Sequence, residues 1–246
     1  MIAAQRAVVA NTDRAWFDCF RLGDGRTHVD EVNFWRPVAQ QEFKALSPGE
    51  PFFFRLKHPI NAIAGFGFFA VQSFMTVAMA WEIFGDRNGD LNYSRFLDRL
   101  AGYRRTSRQH PYPLAQERLN CLVLREATFL PEHEWIPWAQ VQGWAPNIVA
   151  YKTIDLVTQP GSQLANLIAS VPRESVADLA SEFVPLEIDQ RIITERDVVD
   201  RVGQGTFRTR LLRVYKGQCA VTRERAAPAL DAAHIQPYLG PASNHV

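Results

Sequence analysis

Seven of the chain's basic residues, Arg201, Arg208, Arg210, Arg213, Lys216, Arg223 and Arg225, crowd into residues 201–246, where only Glu224 and Asp231 oppose them. Cations at this density attach to phosphates through counterion release, an attraction that weakens steeply as salt rises. A solvated amphipathic helix has the same signature. One further titratable side chain stands just beyond them, His234, in the run Leu230-Asp231-Ala232-Ala233-His234-Ile235. The three cysteines, Cys19, Cys121 and Cys219, are widely spaced and make no CxxC pair. Neither a disulfide framework nor a cysteine zinc site is therefore expected, and all three read as buried thiols.

The local excess of charge disappears in the total. The 246 residues carry a net charge of +1, which divides into −4 over residues 1–200 and +5 over residues 201–246. Such asymmetry points to nucleic-acid contact in the basic part. A composition of 47% hydrophobic and 22% charged residues belongs to a folded soluble protein, and the length suits one large domain or two ordinary ones. No stretch approaches the roughly 18 apolar residues of a membrane span. The start, Met1 to Arg6, lacks the apolar core of a secretory signal, so the expected location is the cytoplasm.

The basic residues need a helix to carry them. Gly203-Gln204-Gly205-Thr206 offers a cap, and Phe207, Leu211, Leu212 and Tyr215 then form one apolar stripe with Arg208, Arg210, Arg213 and Lys216 off it. Gly217 closes the helix. Cys219 to Thr222 and Leu230 to Ile235 are strand-like and are separated by a polar turn, which makes a hairpin presenting His234.

The first 150 residues read as a mixed, β-rich domain. Strands are expected over Val29 to Trp35, Pro51 to Leu56, Ile60 to Val71, Cys121 to Leu124 and Val149 to Leu156. Gly65 and Gly67 in the third suggest a bulge or a close backbone approach. Helices are expected over Val77 to Phe84, stopped by Gly85, and over Asp90 to Leu100. Leu130 to Pro146 is a loop holding Trp135, Trp138 and Trp144. Residues 163–169 and 174–183 read as helical, and Pro185 to Ile193 as a linker or interdomain strand. At least one of Phe52, Phe53 and Phe54 must face away from the other two.

Gln204-x-x-Phe207-Arg208-x-x-Leu211-Leu212-x-x-Tyr215, Cys219-Ala220-Val221-Thr222 and Leu230-Asp231-Ala232-Ala233-His234-Ile235-x-Pro237-Tyr238 together resemble the opening half of an HNH endonuclease module of the restriction type. The resemblance implies a ββα-metal fold in which a hairpin histidine activates water as general base and a divalent ion, Mg²⁺ or Mn²⁺, polarises the phosphate. His234 matches the base position. Asp231 is a candidate metal ligand that needs a bulge, since strict alternation points it away from His234. Arg223 stands where the family has a glycine. The family's later asparagine and second histidine have no counterpart, and Asn244 and His245 do not take those roles. The expectation is an incomplete module that cuts DNA poorly or not at all, from a parent that is a nuclease.

Further upstream, Val32-Asn33-Phe34-Trp35-Arg36-Pro37, Gly49-Glu50-Pro51-Phe52-Phe53-Phe54-Arg55-Leu56-Lys57, Ile63-Ala64-Gly65-Phe66-Gly67-Phe68-Phe69 and Ala80-Trp81-Glu82-Ile83-Phe84-Gly85 resemble in order a PUA-superfamily domain, the twisted barrel of SRA, EVE, YTH and ASCH modules. That implies a pocket for one modified base flipped out of its stack. Trp35 and Trp81 become candidate walls, Asn33 and Arg36 candidate edge readers, and Phe66 a third aromatic candidate. Each of these aromatics also reads as core.

The fold expected is α+β. Residues 1–155 form a PUA-like twisted β-barrel with flanking helices and act as a modified-base reader, residues 156–194 connect, and residues 195–246 begin the nuclease as a helix plus β-hairpin. The function expected is a modification-dependent, type IV-like restriction endonuclease acting on double-stranded DNA, with a homodimer as its candidate assembly. Arg208, Arg210, Arg213, Lys216, Arg223 and Arg225 would hold phosphates. The alternatives are a modified-DNA reader without nuclease activity and an RNA-binding protein.

Overall fold

The structure is a computed structural model describing residues 6–21, 23–37, 41–104, 113–140, 150–159, 161–171, 192–193, 199–200, 204–223, 225, 230 and 232. The chain divides into two compact units, Met1–Ser170 and Val171–Val246. No helix among the described residues is long and apolar enough to cross a membrane.

The first unit is built from β1 (Arg6–Thr12), α1 (Arg14–Asp18), β2 (Thr27–Arg36), β3 (Pro51–Leu56), β4 (Ala62–Thr76), α2 (Val77–Phe84), α3 (Tyr93–Arg104), β5 (Arg118–Phe129), β6 (Ile136–Pro137), β7 (Tyr151–Asp155) and α4 (Gly161–Ala169). Seven strands form one sheet in the order β2-β5-β4-β3-β1-β7, with β6 on β4. The expected barrel is realised as a sheet that does not close, because β2 and β7 end the hydrogen-bonded path without pairing with each other. β1 runs parallel to β3, Val8 opposite Phe52 and Thr12 opposite Leu56; the other ladders are antiparallel.

The expected strands and helices recur, two of them, Pro51–Leu56 and Val77–Phe84, with the expected bounds and the others with shifted ends. The strand over residues 60–71 extends to Thr76, and its pairing with β5 shifts register between Phe66 and Phe68 and again between Phe69 and Val71. Gly65 lies so close to β5 that a β-carbon would collide with the Thr128 carbonyl. Thr76 caps α2, its Oγ1 accepting from the Met79 amide at 3.2 Å, and Gly85 ends it at φ 53°. β1 and α1 were not anticipated. Val8-Val9-Ala10 is too short a run to stand out, yet it is fully inside because strands flank it on both sides.

Aromatic rings dominate the core. Phe52 and Phe54 enter it with Trp16, Phe17, Phe20, Phe43 and Phe129, whereas Phe53 faces the other way, its ring 5.9 Å from that of Phe66. Trp16 meets Phe20, Phe34, Phe54 and Phe129 at centroid distances of 4.8 to 6.0 Å. Full burial of each such ring stabilises by about 1.5–3 kcal/mol, and edge-to-face pairing adds about 0.5–1.5 kcal/mol.

In the second unit Ile192–Ile193 (β8) pairs with Val199–Asp200 (β9), and α5 covers Gln204–Val214. Its buried face is Gly205, Thr206 and Thr209, while Phe207, Leu211 and Leu212 are half-buried and Tyr215 is exposed. The expected Phe-Leu-Tyr stripe is therefore not the face α5 buries. Cys219 to Thr222 forms a turn rather than the expected strand. Left-handed backbone at Lys216, Gly217 and Arg223 brackets the segment too sharply for an extended run, and the Arg223 amide returns to the Cys219 carbonyl at 3.1 Å. The first arm of the expected β-hairpin is thus absent. Of its second arm only Leu230 and Ala232 are described, neither in a strand, while Asp231 and His234 lie outside the described residues, as do residues 174–183.

Candidate functional site

A cavity of about 370 Å³ opens where the two unpaired edges of the sheet approach each other. β2 supplies Phe34, Trp35 and Arg36, β7 supplies Tyr151, and β1 supplies Ala10 and Asn11. Phe52, Trp16 and Leu122 form its apolar lining, and Asp13, Lys57 and Tyr103 add polar groups.

Arg36 spans the gap between the edges, its guanidinium carbon 5.6 Å from the Tyr151 ring centre. Burial lowers its pKa, and the nearby Tyr151 opposes the shift. Among the described residues it has neither a carboxylate nor a hydrogen-bond partner. A guanidinium has five donors and no acceptor, so this side of the cavity presents donors.

Trp35 is held by its indole Nε1, which donates to the Asn88 carbonyl at 2.8 Å. Its ring meets Phe96 and Tyr103 edge-on at 5.7 and 5.8 Å. Asn88 is itself locked, its Nδ2 donating to the carbonyls of Ala80 and Gly85 at 3.0 and 2.8 Å and its Oδ1 accepting from Asn33 Nδ2 at 2.9 Å. Beside it, Gly89 at φ 77° lies against the Trp16 indole so closely that any β-carbon would collide.

Asp13 gathers three elements. It caps α1, its Oδ1 accepting from the Ala15 amide at 3.1 Å. Its Oδ2 accepts a short hydrogen bond from the Tyr103 hydroxyl near the end of α3 and lies 3.8 Å from Lys57 Nζ, just after β3. Lys57 Nζ also stands 5.6 Å from the Tyr103 ring. Burial works against the Asp13 charge, but the hydrogen bonds from Tyr103 and Ala15 and the charges of Lys57 and Arg99 outweigh it, and the pKa is lowered. Burial and the Asp13 carboxylate push the Tyr103 phenol up, so it remains a donor.

Of the sequence-predicted base-pocket residues, Trp35 and Arg36 line this cavity and three do not. Asn33 is fully buried behind Trp35, bound to Asn88 and to Cys121 Sγ. Phe66 is buried on the far side of the sheet between Phe53 and Phe68. Trp81 stacks obliquely on Tyr93 and Phe96, one ring removed from Trp35. Asp13, Lys57, Tyr103 and Tyr151 are the residues sequence reasoning missed. A capping signal marked none of them as convergent, since they come from four separate stretches.

In the second unit Arg213, Lys216 and Arg223 are exposed and Arg210 is half-buried. Arg208 donates to the Leu230 carbonyl at 3.0 Å, and Arg225 lies beside the Gln218 side-chain amide, whose oxygen, with the amide turned over, accepts at 2.9 and 3.1 Å. Among the described residues no three His, Cys, Asp or Glu side chains lie close enough to hold a metal ion. Of the three thiols expected to be buried only Cys121 is, while Cys19 and Cys219 are half-buried. Burial pushes Cys121 up to about 12 and raises Cys19, whereas hydrogen bonds from Thr222 lower Cys219 to about 7.

No family model matches the sequence, and no curated protein matches it. Among solved structures the chain is similar to an ASCH protein from Zymomonas mobilis, at 13% identity and a TM-score of 0.41, covering 68% of this chain and 96% of that one. Two point mutants of the same protein match at 13% and 14% identity with TM-scores of 0.43 and 0.41, each covering 68% of this chain and 99% of the other.

Proposed function

We propose that the first unit is a nucleic-acid-binding module that holds one extruded, modified base in the cavity between β2 and β7. The observation that carries this reading is the half-buried Arg36, without a carboxylate or hydrogen-bond partner among the described residues, set among Trp35, Tyr151 and Tyr103. Aromatic faces and a guanidinium are the two parts a base requires, one for its faces and one for its acceptor edge. Stacking contributes about 1–3 kcal/mol per base, enough to offset an extrusion cost of a few kcal/mol. At about 370 Å³ the cavity is near the lower end of the roughly 300–1,000 Å³ of small-molecule sites, a size for one ring system rather than a peptide or a helix.

The resemblance of residues 204–238 to an HNH module supports the finer reading, a modification-dependent restriction endonuclease acting on double-stranded DNA. In it His234 is the base, Asp231 is a ligand of a Mg²⁺ or Mn²⁺ ion, and the exposed Arg213, Lys216 and Arg223 approach phosphates.

Electrophoretic binding to matched duplexes tests the reader. The duplexes carry no modification, 5-methylcytosine, 5-hydroxymethylcytosine or N6-methyladenine, with an RNA of the same sequence alongside. One modified duplex is expected to bind at least about tenfold tighter, a difference of about 1.4 kcal/mol. Trp35→Ala and Arg36→Gln should each abolish that margin. Equal affinity for all duplexes, unaffected by either substitution, overturns the proposal, and preferential binding of the RNA redirects it to RNA.

A further inference from the structure

If the cavity takes a single base, its polar wall determines which base it takes. An ionised carboxylate offers about four lone-pair sites and no donor. Asp13 commits one site to the Ala15 amide, one to the Tyr103 hydroxyl and has Lys57 at 3.8 Å. Its side chain remains 37% exposed and lines the cavity, so acceptor capacity is left over for an occupant. The donors beside it are already engaged. Tyr103 spends its one proton on Asp13, and Lys57 is drawn to the same carboxylate and to the Tyr103 ring. A carbonyl brought against this wall meets an anion, whereas an amino group meets an acceptor. On the β2 side the polarity is reversed, because Arg36 has donors only.

We propose that the cavity selects a base that turns an exocyclic amino group to Asp13 and ring-nitrogen or carbonyl acceptors to Arg36, which cytosine, adenine and guanine can do and thymine and uracil cannot. The inference rests on the base-pocket reading above and adds the hydrogen-bonding class of its ligand. The lowered pKa of Asp13 keeps the wall an acceptor across the physiological range.

The test uses the full chain and short duplexes identical except at one position opposite an abasic site, where the unpaired base is extruded at little cost. Cytosine, adenine, guanine, thymine or a second abasic site occupies that position, and affinity is read by fluorescence anisotropy. Cytosine, adenine or guanine is expected to bind at least about tenfold tighter than thymine, in line with one well-made base-edge contact. Asp13→Asn should shrink or invert that ratio in favour of thymine, because the amide can donate to a carbonyl. Asparagine is as good an N-cap as aspartate, so α1 is retained, and Tyr103→Phe, which frees an acceptor site and keeps the ring, should leave the amino preference in place. Thymine binding as tightly as the amino-bearing bases, with the abasic duplex still weaker, overturns the amino selection and leaves the pocket reading standing. Binding of the doubly abasic duplex as tight as that of every base overturns the pocket reading itself. The base series on the unsubstituted protein decides both, even if Asp13→Asn fails to fold.

Discussion

Asp13 shows how a single side chain joins a helix end, a second helix and a cavity wall. It caps a five-residue helix, anchors the end of α3 through Tyr103 and sits in the cavity wall. Because its pKa is lower in the folded chain than in the unfolded one, its contribution to stability is fully present above the ordinary carboxylate value. That contribution is lost as pH falls through the lowered value. Asp13→Asn, which has no charge to lose, should therefore flatten the acid limb. Below about pH 4 the melting temperature of the unsubstituted protein is expected to fall more steeply than that of the variant. Parallel slopes in a calorimetric series would show that the Asp13 charge is not coupled to folding. None of this was legible beforehand, since an aspartate ahead of Arg14-Ala15-Trp16 looks like any helix cap.

At the scale of elements, legibility followed local signals. Pro51–Leu56 and Val77–Phe84 were expected with the bounds they have, because proline, threonine and glycine mark their ends. β1 gave no such signal, and neither did the turn at Cys219–Thr222, where left-handed residues override a strand-like composition. The link from α2 to α3 carries a prediction of its own. Gly89 has a positive φ and no room for a methyl beside Trp16, while Gly49 has a positive φ of 89° and open space around it. Alanine at either position strains the backbone by roughly 1–3 kcal/mol, but only Gly89→Ala also drives into the indole, at about 1–3 kcal/mol more. Gly89→Ala should thus melt lower than Gly49→Ala and lose base discrimination, which Gly49→Ala keeps. Equal melting temperatures would mean that Trp16 yields freely.

The whole molecule joins a base-sized cavity in one unit to a basic helix in another, and the cavity was the harder of the two to foresee. Trp35 and Arg36 sit side by side in sequence, but Asp13, Lys57, Tyr103 and Tyr151 reach the same space only because the sheet curls until β2 and β7 approach. The nuclease proposal also belongs to this scale, since it needs reader and catalytic residues in one chain. Incubating the protein with the preferred duplex and Mg²⁺ or Mn²⁺ tests it. Little or no cleavage is expected, since residues 204–238 resemble only the opening half of such a module; cleavage abolished by His234→Ala would overturn that expectation and support the role of that residue, and cleavage that persists in His234→Ala excludes it as the general base.

The pairing of β7 with β1 sets Arg6 opposite Asp155, contacts nearly the full length of the first unit apart along the chain. Such distant pairings are slow to form because the intervening loop must close first. During synthesis every strand from β1 to β6 emerges before Tyr151, and until β7 docks the cavity has no second edge for Arg36 to span. Competence to bind is therefore acquired only when the last strand of the sheet is in place, so a ligand for the cavity favours the fully assembled sheet over every partly folded form.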